Sequence, residues 1–359
     1  MLRRALSLTL AIASTASMAF VPIGHAAAIG GNAYRVTRLV SDGSGATHTD
    51  PNLVGAWGLA AGRRTPWVVS DVATNVSTSY AGTGSANRQI LSVPFTPTGV
   101  AFNGTSSFVV SDGRTSAPST FLFSTLDGTI RGWNARVPGP APSFQSFVVE
   151  DRQAAGAGYE GLTTALGTEG PLVYATDFIG GRVDVFDGAF RQVHANAFVD
   201  PNLPHGFEPF GIQAIGGRIF VTYAARASGS KDQVDGAGLG FVDMFGREGR
   251  FLHRVTSRHA LNAPWGLTEA PSTFGRFSGD LLIGNSGDGR ILAFEPRADG
   301  RFTQVGALRR ADGTVIRIDG LRALEFGNGG AAGATNSLFF TAGPDGGNHG
   351  LFGVIATAR

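Results

Sequence analysis

The sequence predicts an all-β chain folded as a six-bladed β-propeller, closed by its N-terminal strand pairing with the last blade. Three observations predict it: a short strand opening on glycine recurs six times, apolar runs end in turn residues, and both ends carry unpaired strands. The opening strands are Trp57-Gly58-Leu59-Ala60, Thr98-Gly99-Val100-Ala101-Phe102, Glu160-Gly161-Leu162, Phe210-Gly211-Ile212, Trp265-Gly266-Leu267 and Asp319-Gly320-Leu321. Their glycines stand 41, 62, 50, 55 and 54 residues apart. Four antiparallel strands at a period of about 40 to 60 residues is the pattern of a propeller blade.

The elements follow in a fixed order. A second strand ends in a polar residue in Trp67-Val68-Val69-Ser70-Asp71, Phe108-Val109-Val110-Ser111-Asp112, Leu172 to Asp177 and Leu281 to Asn285. Ile219 to Tyr223 and Leu338 to Ala342 fill the same slot without the acid. A third strand follows a glycine turn, as in Gly128 to Asn134, Gly181 to Asp187, Gly240 to Phe245 and Gly289 to Phe294. A more amphipathic fourth strand closes each unit. Short apolar runs bounded by Gly, Asn and Asp are the mark of strands and hairpins. The last unit reaches only its third strand, Gly350 to Ile355, while Tyr34 to Val40 stands unassigned near the start. Pairing the two removes two exposed edges. The interval from Gly99 to Gly161 holds five strand-like runs, so it carries an extra strand or the ring has seven blades. One domain over 34–359 is expected.

Residues 1–28 read as a secretory signal peptide: Arg3 and Arg4, an uncharged apolar stretch to Val21, then small residues up to Ala28. An exported protein, periplasmic or secreted and bacterial, is therefore expected, with no membrane span once the leader is removed. Loss of Arg3 and Arg4 takes the formal charge from +2 to 0. One Lys stands among 29 basic residues and no basic run tracks a phosphate backbone, so nucleic acid is not an expected partner. With 42% hydrophobic residues, 16% charged and 53 Gly, the chain has material for a large core and many turns. The absence of Cys excludes disulfides, thiolate catalysis and Cys-ligated metal. A monomer is expected.

Residues beside each opening glycine and at the end of each second strand lie toward one mouth of a propeller channel. This brings Glu160, Asp177, Asn285, Asp319, Asp71 and Asp112 into candidate convergence. Such oxygen donors suit Ca2+, which takes six to eight, or an acid/base pair acting on an ester or lactone. The plainer expectation is that each acid caps a turn. Asp42, His48 and Asp50 in the loop from Ser41 to Asn52, and Asp345 and His349 in a glycine-rich hairpin, are candidates for a ligand-binding loop. Gly284 to Gly289 fails the EF-hand pattern, for want of a Glu at its twelfth position and of flanking helices. No Gly-x-Ser-x-Gly follows a strand in a setting that would expose its serine. Trp and Phe recur at strand positions and read as core, with Tyr80, Trp133 and Tyr223 as candidate sugar-stacking exceptions.

The run from Leu39 to Val54 with Trp57-Gly58-Leu59, the Trp265-Gly266-Leu267 unit with Gly279 to Leu282 and Gly287-Asp288-Gly289, the Ile318 to Leu321 run and the tail Phe340 to Asp345 together resemble a family of uncharacterised exported bacterial β-propeller proteins. The resemblance implies a six-bladed exported propeller and assigns no activity. Some members end in a hydrophobic sorting helix; the ending Ile355 to Arg359 lacks one, which implies release or periplasmic residence. A looser likeness is to NHL and gluconolactonase-type six-bladed propellers, whose lactonases hold calcium in the channel with Glu, Asn and Asp; here only Glu160-Gly161 is similar to their motif. Two functions follow as expectations. One is a module binding a small molecule, glycan or protein on one face; the other is a Ca2+-assisted hydrolase of a lactone or ester, with Glu160 and Asp319 as ligands or base.

Overall fold

The computed structural model describes residues 31–358, and in them six sheets of four main strands are arranged as blades. The expected leader, residues 1–28, lies outside the described residues. Blade 1 runs outward from the axis through Ala56–Ala60, Trp67–Asp71, Val76–Tyr80 and Ala86–Ser92. Blades 3 and 5 repeat the plan from Tyr159–Leu166 and Pro264–Glu269, and blade 4 does so from Phe207–Ile215 with Gln233–Val234 added on its second strand. No described helix is long and apolar enough to cross a membrane.

Blade 2 resolves the long interval in favour of six blades. Its strands are Pro97–Phe102, Phe121–Thr125, Thr129–Trp133 and Phe147–Asp151. The run expected as its second strand is instead Val109–Ser111, which pairs with Ser116–Pro118 as a separate hairpin. Ser124, not Ser111, therefore stands behind the opening glycine: its Oγ accepts the Gly99 N–H at 3.0 Å.

The ring closes as expected. Blade 6 is Leu321–Phe326, Leu338–Ala342 and Leu351–Thr357, completed by Tyr34–Ser41 antiparallel to the last of these, with Tyr34 opposite Thr357. His48–Thr49 then adds to that outer strand in parallel. Each blade presents both faces to neighbours, so its middle strands are apolar on both sides. Leu281 and Ile283 face a cluster shared with blade 4, while Leu282 between them faces a cluster shared with blade 6. Alternate side chains point to opposite faces of a strand, which is why these strands read as unbroken apolar runs rather than alternating ones. Six such clusters fill the six blade interfaces.

The innermost strands meet one another in a closed circle. Each carries one extra residue in its register with the second strand, at Trp57-Gly58, Thr98-Gly99, Glu160-Gly161, Phe210-Gly211, Trp265 and Arg322-Ala323. Such a bulge turns one side chain out of the sheet. It also brings the following glycine against the next blade: a Cβ at Gly211 would lie 2.1 Å from the Trp265 carbonyl oxygen, and one at Gly266 2.4 Å from that of Arg322. Hydroxyls behind the bulge bind the circle together. Thr176 Oγ1 accepts the Gly161 N–H and donates to the Phe210 carbonyl of the next blade, both at 2.7 Å; Thr341 does the same for Ala323 and Trp57.

Candidate functional site at the propeller axis

The six bulges place Trp57, Thr98, Glu160, Phe210, Trp265 and Arg322 at the axis. Thr98 is consumed by the scaffold, donating to the Tyr159 carbonyl at 2.7 Å. The other five form a mixed aromatic and charged cluster. The Arg322 guanidinium lies 3.8 Å from the Trp57 ring centroid and 5.9 Å from that of Phe210, two blades away. A cation over an indole face is attracted by the ring quadrupole. Trp57 meets Trp265 edge-on at 6.4 Å, and Arg322 also contacts the Ser286 hydroxyl.

Electrostatics in the cluster are set by burial. Glu160 is 4% exposed, and loss of hydration pushes its carboxyl up to about 8, against the pull of the Arg322 charge. Burial brings the Arg322 guanidinium down to about 10, opposed by Glu160 and Asp235, so it is charged at neutral pH while Glu160 is protonated. Asp235 reaches this site from the loop between Arg218–Arg226 and Gly240–Phe245, and burial raises its carboxyl too, against Arg322. Four buried polar atoms here meet no protein partner: Glu160 Oε2, Arg322 Nε, Trp57 Nε1 and Trp265 Nε1. Buried polar groups in folded proteins are nearly always satisfied, and leaving one unpaired costs about 1–3 kcal/mol. All four belong to side chains of the axial cluster.

The pH dependence of stability follows from Glu160. Its folded carboxyl titrates near 8, its unfolded one near 4.5. The stability it contributes is fully present below the unfolded value and is lost as pH rises through the folded one. Between the two, each group of this kind lowers stability by up to about 1.4 kcal/mol per pH unit. Glu325, also pushed up to about 8 by burial, adds a second such contribution. Urea unfolding of the wild type is therefore expected to weaken from pH 5 to pH 8, and E160Q is expected to remove about one proton's worth of that slope. An unchanged slope in E160Q would contradict the burial reading.

Of the residues expected to gather around a metal, Glu160 alone reaches the axis. Asp177 Oδ1 accepts the N–H groups of Gly158 and Gly180 at 2.9 and 2.8 Å, and Oδ2 pairs with Arg182 at 2.7 Å. Asn285 bonds the Ala260 carbonyl and Asp288. Asp319 Oδ2 caps the Asp345 N–H at 3.0 Å. Asp71 is buried under blade 1, accepts the Thr78 N–H, and is pushed well up by burial. Asp112 caps its hairpin through the Arg114 and Thr115 N–H groups. These six carboxyls and amides do not converge, and among the described residues no group of three His, Asp or Glu could hold a metal ion. Asp177, Asn285, Asp319, Asp71 and Asp112 are held by nearby backbone and side-chain groups rather than gathered with Glu160 as one ligand set.

The candidate loop residues are partly brought together. His349 Nδ1 lies 2.7 Å from Asp42 Oδ2, and the Gly350 N–H donates to Asp42 Oδ1, joining residues 307 and 308 apart in sequence. The hydrogen bond to Asp42 raises the imidazole above its usual value. Burial raises the Asp42 carboxyl, but the hydrogen bonds from His349 and Gly350 outweigh it and hold it below the usual range. Asp50 accepts the Tyr80 hydroxyl at 2.9 Å, Asp345 follows the Asp319 cap, and His48 is exposed apart from them. The Asp42–His349 pair clasps the closing strand to the last hairpin. Tyr80 and Tyr223 are fully buried and cannot stack a sugar.

Arg322 was not legible as a site residue, because Asp319-Gly320 three residues earlier carries the glycine pattern. Gly320 is needed for another reason: φ is 62°, and a Cβ there would lie 2.0 Å from the Gly343 carbonyl oxygen. A signal existed in the run Leu321-Arg322-Ala323-Leu324, a lone basic residue in a buried inner strand.

Fold and axial cluster together define a six-bladed β-propeller whose axis is filled by aromatic and charged side chains. The chain belongs to one family with the uncharacterized proteins R648 and L690 of Acanthamoeba polyphaga mimivirus. It is 33% identical to R648 over 341 residues, covering 90% of this chain and 80% of that protein. To L690 it is 32% identical over 305 residues, covering 81% and 78%. These relatives are viral, so the bacterial part of the expected resemblance finds no support in them. No family model matches the chain. A streptogramin B lyase structure superposes with a TM-score of 0.53 at 12% identity, over 90% of this chain and 97% of that one, a likeness of fold alone.

Proposed function

We propose that the protein is a ligand-binding propeller whose axial cluster takes a small polar molecule rich in acceptor oxygens, a sugar acid or its lactone being the simplest class. The single observation that carries this reading is the convergence of four unpartnered polar atoms, three of them N–H donors, between aromatic walls. At neutral pH the protonated Glu160 leaves the Arg322 charge without a directly bonded counter-ion, which favours an anionic group. Indole faces beside the donors suit a polyhydroxylated body.

Titration with gluconate, followed by tryptophan fluorescence, tests it. Saturable binding at neutral pH is expected, at least tenfold weaker in R322M. Affinity is expected to fall above about pH 8 as Glu160 ionises, and E160Q is expected to flatten that profile. Absence of saturation by both gluconate and glucono-1,5-lactone at millimolar concentration would remove the proposal.

A second reading, hydrolysis of a lactone or ester, is favoured by one observation: a carboxyl titrating near 8 is poised for proton transfer at neutral pH. In that case glucono-1,5-lactone would open faster than its spontaneous rate in a pH-stat, and E160Q would return it to background.

A further inference from the structure

A groove of about 450 Å³ lies between blades 4 and 5, at the end of the ring where the inner strands finish, away from the bulges near their starts that carry the axial cluster. Its volume is in the range of small-ligand sites, about 300–1,000 Å³. The floor is apolar: Phe220, Met244 and Leu281 are buried, and Phe302 meets Phe220 edge-on at 6.0 Å. The glycine turn at Gly216 and the turn from Arg297 to Gly300 form parts of the rim.

Two of the four charged side chains on the rim are already engaged: Arg297 pairs with Glu295 at 3.1 Å and Asp299 with Arg301 at 3.8 Å. Arg218 and Glu269 remain, with no ion-pair or hydrogen-bond partner among the described residues. Both are exposed and come from different blades, Arg218 opening the second strand of blade 4 and Glu269 ending the inner strand of blade 5. The same groove therefore offers an apolar floor, one free cation and one free anion. Charges left unengaged beside an apolar cleft are complementary to a ligand that supplies both opposite charges and an apolar body between them.

We propose that this groove is a second binding site, for a short apolar peptide with free termini, its carboxylate meeting Arg218 and its ammonium meeting Glu269 while its side chains cover Phe220, Met244 and Phe302. The site is independent of the axial one.

Met244 supplies the test. The sequence holds three methionines, Met1, Met18 and Met244, so a methyl-labelled protein reports on the groove floor through one assignable signal. The dipeptide Leu-Phe is expected to shift the Met244 methyl saturably. Acetylating its amino end or amidating its carboxyl end is expected to weaken binding at least tenfold. R218A is expected to abolish the preference for the free acid over the amide, and E269Q the preference for the free amine over the acetylated form. Both positions are exposed, so both variants are expected to keep the wild-type melting transition. An unmoved Met244 methyl at millimolar Leu-Phe, or equal binding by the free, acetylated and amidated peptides, overturns the proposal. Gluconate, if it binds only at the axis, leaves Met244 unmoved, which separates failure here from failure there.

Discussion

Removal of residues 31–41 is expected to abolish the cooperative unfolding transition. The strand Tyr34–Ser41 is the fourth strand of blade 6, and without it Leu351–Thr357 becomes an open edge with a row of unpaired N–H and C=O groups. Tyr34, Leu39 and Val40 are buried, at 1%, 6% and 1% exposure, and each such side chain contributes about 1.5–3 kcal/mol. Their sum rivals the whole stability of an ordinary domain, about 5–15 kcal/mol. The segment also ties blade 5 to blade 6, since the Tyr34 N–H donates to the Arg309 carbonyl at 2.8 Å and Asn32 bonds both Ala307 and Arg309. A milder version separates packing from closure. Tyr34→Ala loses the rings at 4.8 and 6.2 Å on Phe274 and Phe277 and should cost about 3–5 kcal/mol. Tyr34→Phe loses only the hydroxyl bond to the Phe274 carbonyl and should cost about 1 kcal/mol. Calorimetry of the truncated chain, alone and with a 31–41 peptide added, reads the result. A truncated chain that melts within a few degrees of the intact one would show that the ring does not depend on this closure.

Gly211→Ala is expected to destabilise the protein by about 3 kcal/mol or more, the upper range for overpacking. The added methyl would fall 2.1 Å from the Trp265 carbonyl oxygen, and that atom belongs to the backbone of the next inner strand. No rotamer change relieves the contact; the two strands must separate, and the Phe210 and Trp265 side chains at the axis must move with them. The variant should therefore lose both stability and axial binding. Ala323→Gly is the matched control, because blade 6 already carries a methyl at this place in its bulge. It should cost about 1–2 kcal/mol, from added backbone freedom and the loss of one buried methyl, less than Gly211→Ala. Urea midpoints of the two variants decide it, and a Gly211→Ala midpoint equal to the wild type would mean that the circle of inner strands is looser than its geometry.

Blade number and closure were legible in the sequence because they rest on local regularities. A strand buried on both faces must be apolar throughout, a turn must carry Gly, Asn or Asp, and these recur at each blade whatever its neighbours are. Tyr34 to Val40 had the pattern of an outer strand with no partner nearby, and the unfinished last blade supplied one. Blade 2 was legible only as a surplus: Phe108 to Ser111 has strand composition, and nothing local distinguishes a strand of the blade from one of an added hairpin.

The axial site was decided by tertiary structure. Which residue faces the axis depends on where the extra residue of each bulge falls, and that is a matter of register between two strands. Glu160 was found because its bulge coincides with the glycine pattern. Arg322 was missed because the glycine of Asp319-Gly320 serves a left-handed turn instead, and the Asp319 carboxylate is spent on the Asp345 N–H. Asp177 and Asn285 lie near the correct end of their strands, yet nearby polar groups hold both side chains, largely those of their own turns. The sequence by itself determined the ring, because period and burial act along the chain. Only the tertiary structure decided the constellation at its centre, because five side chains from five blades meet there through register, which no single stretch of sequence contains.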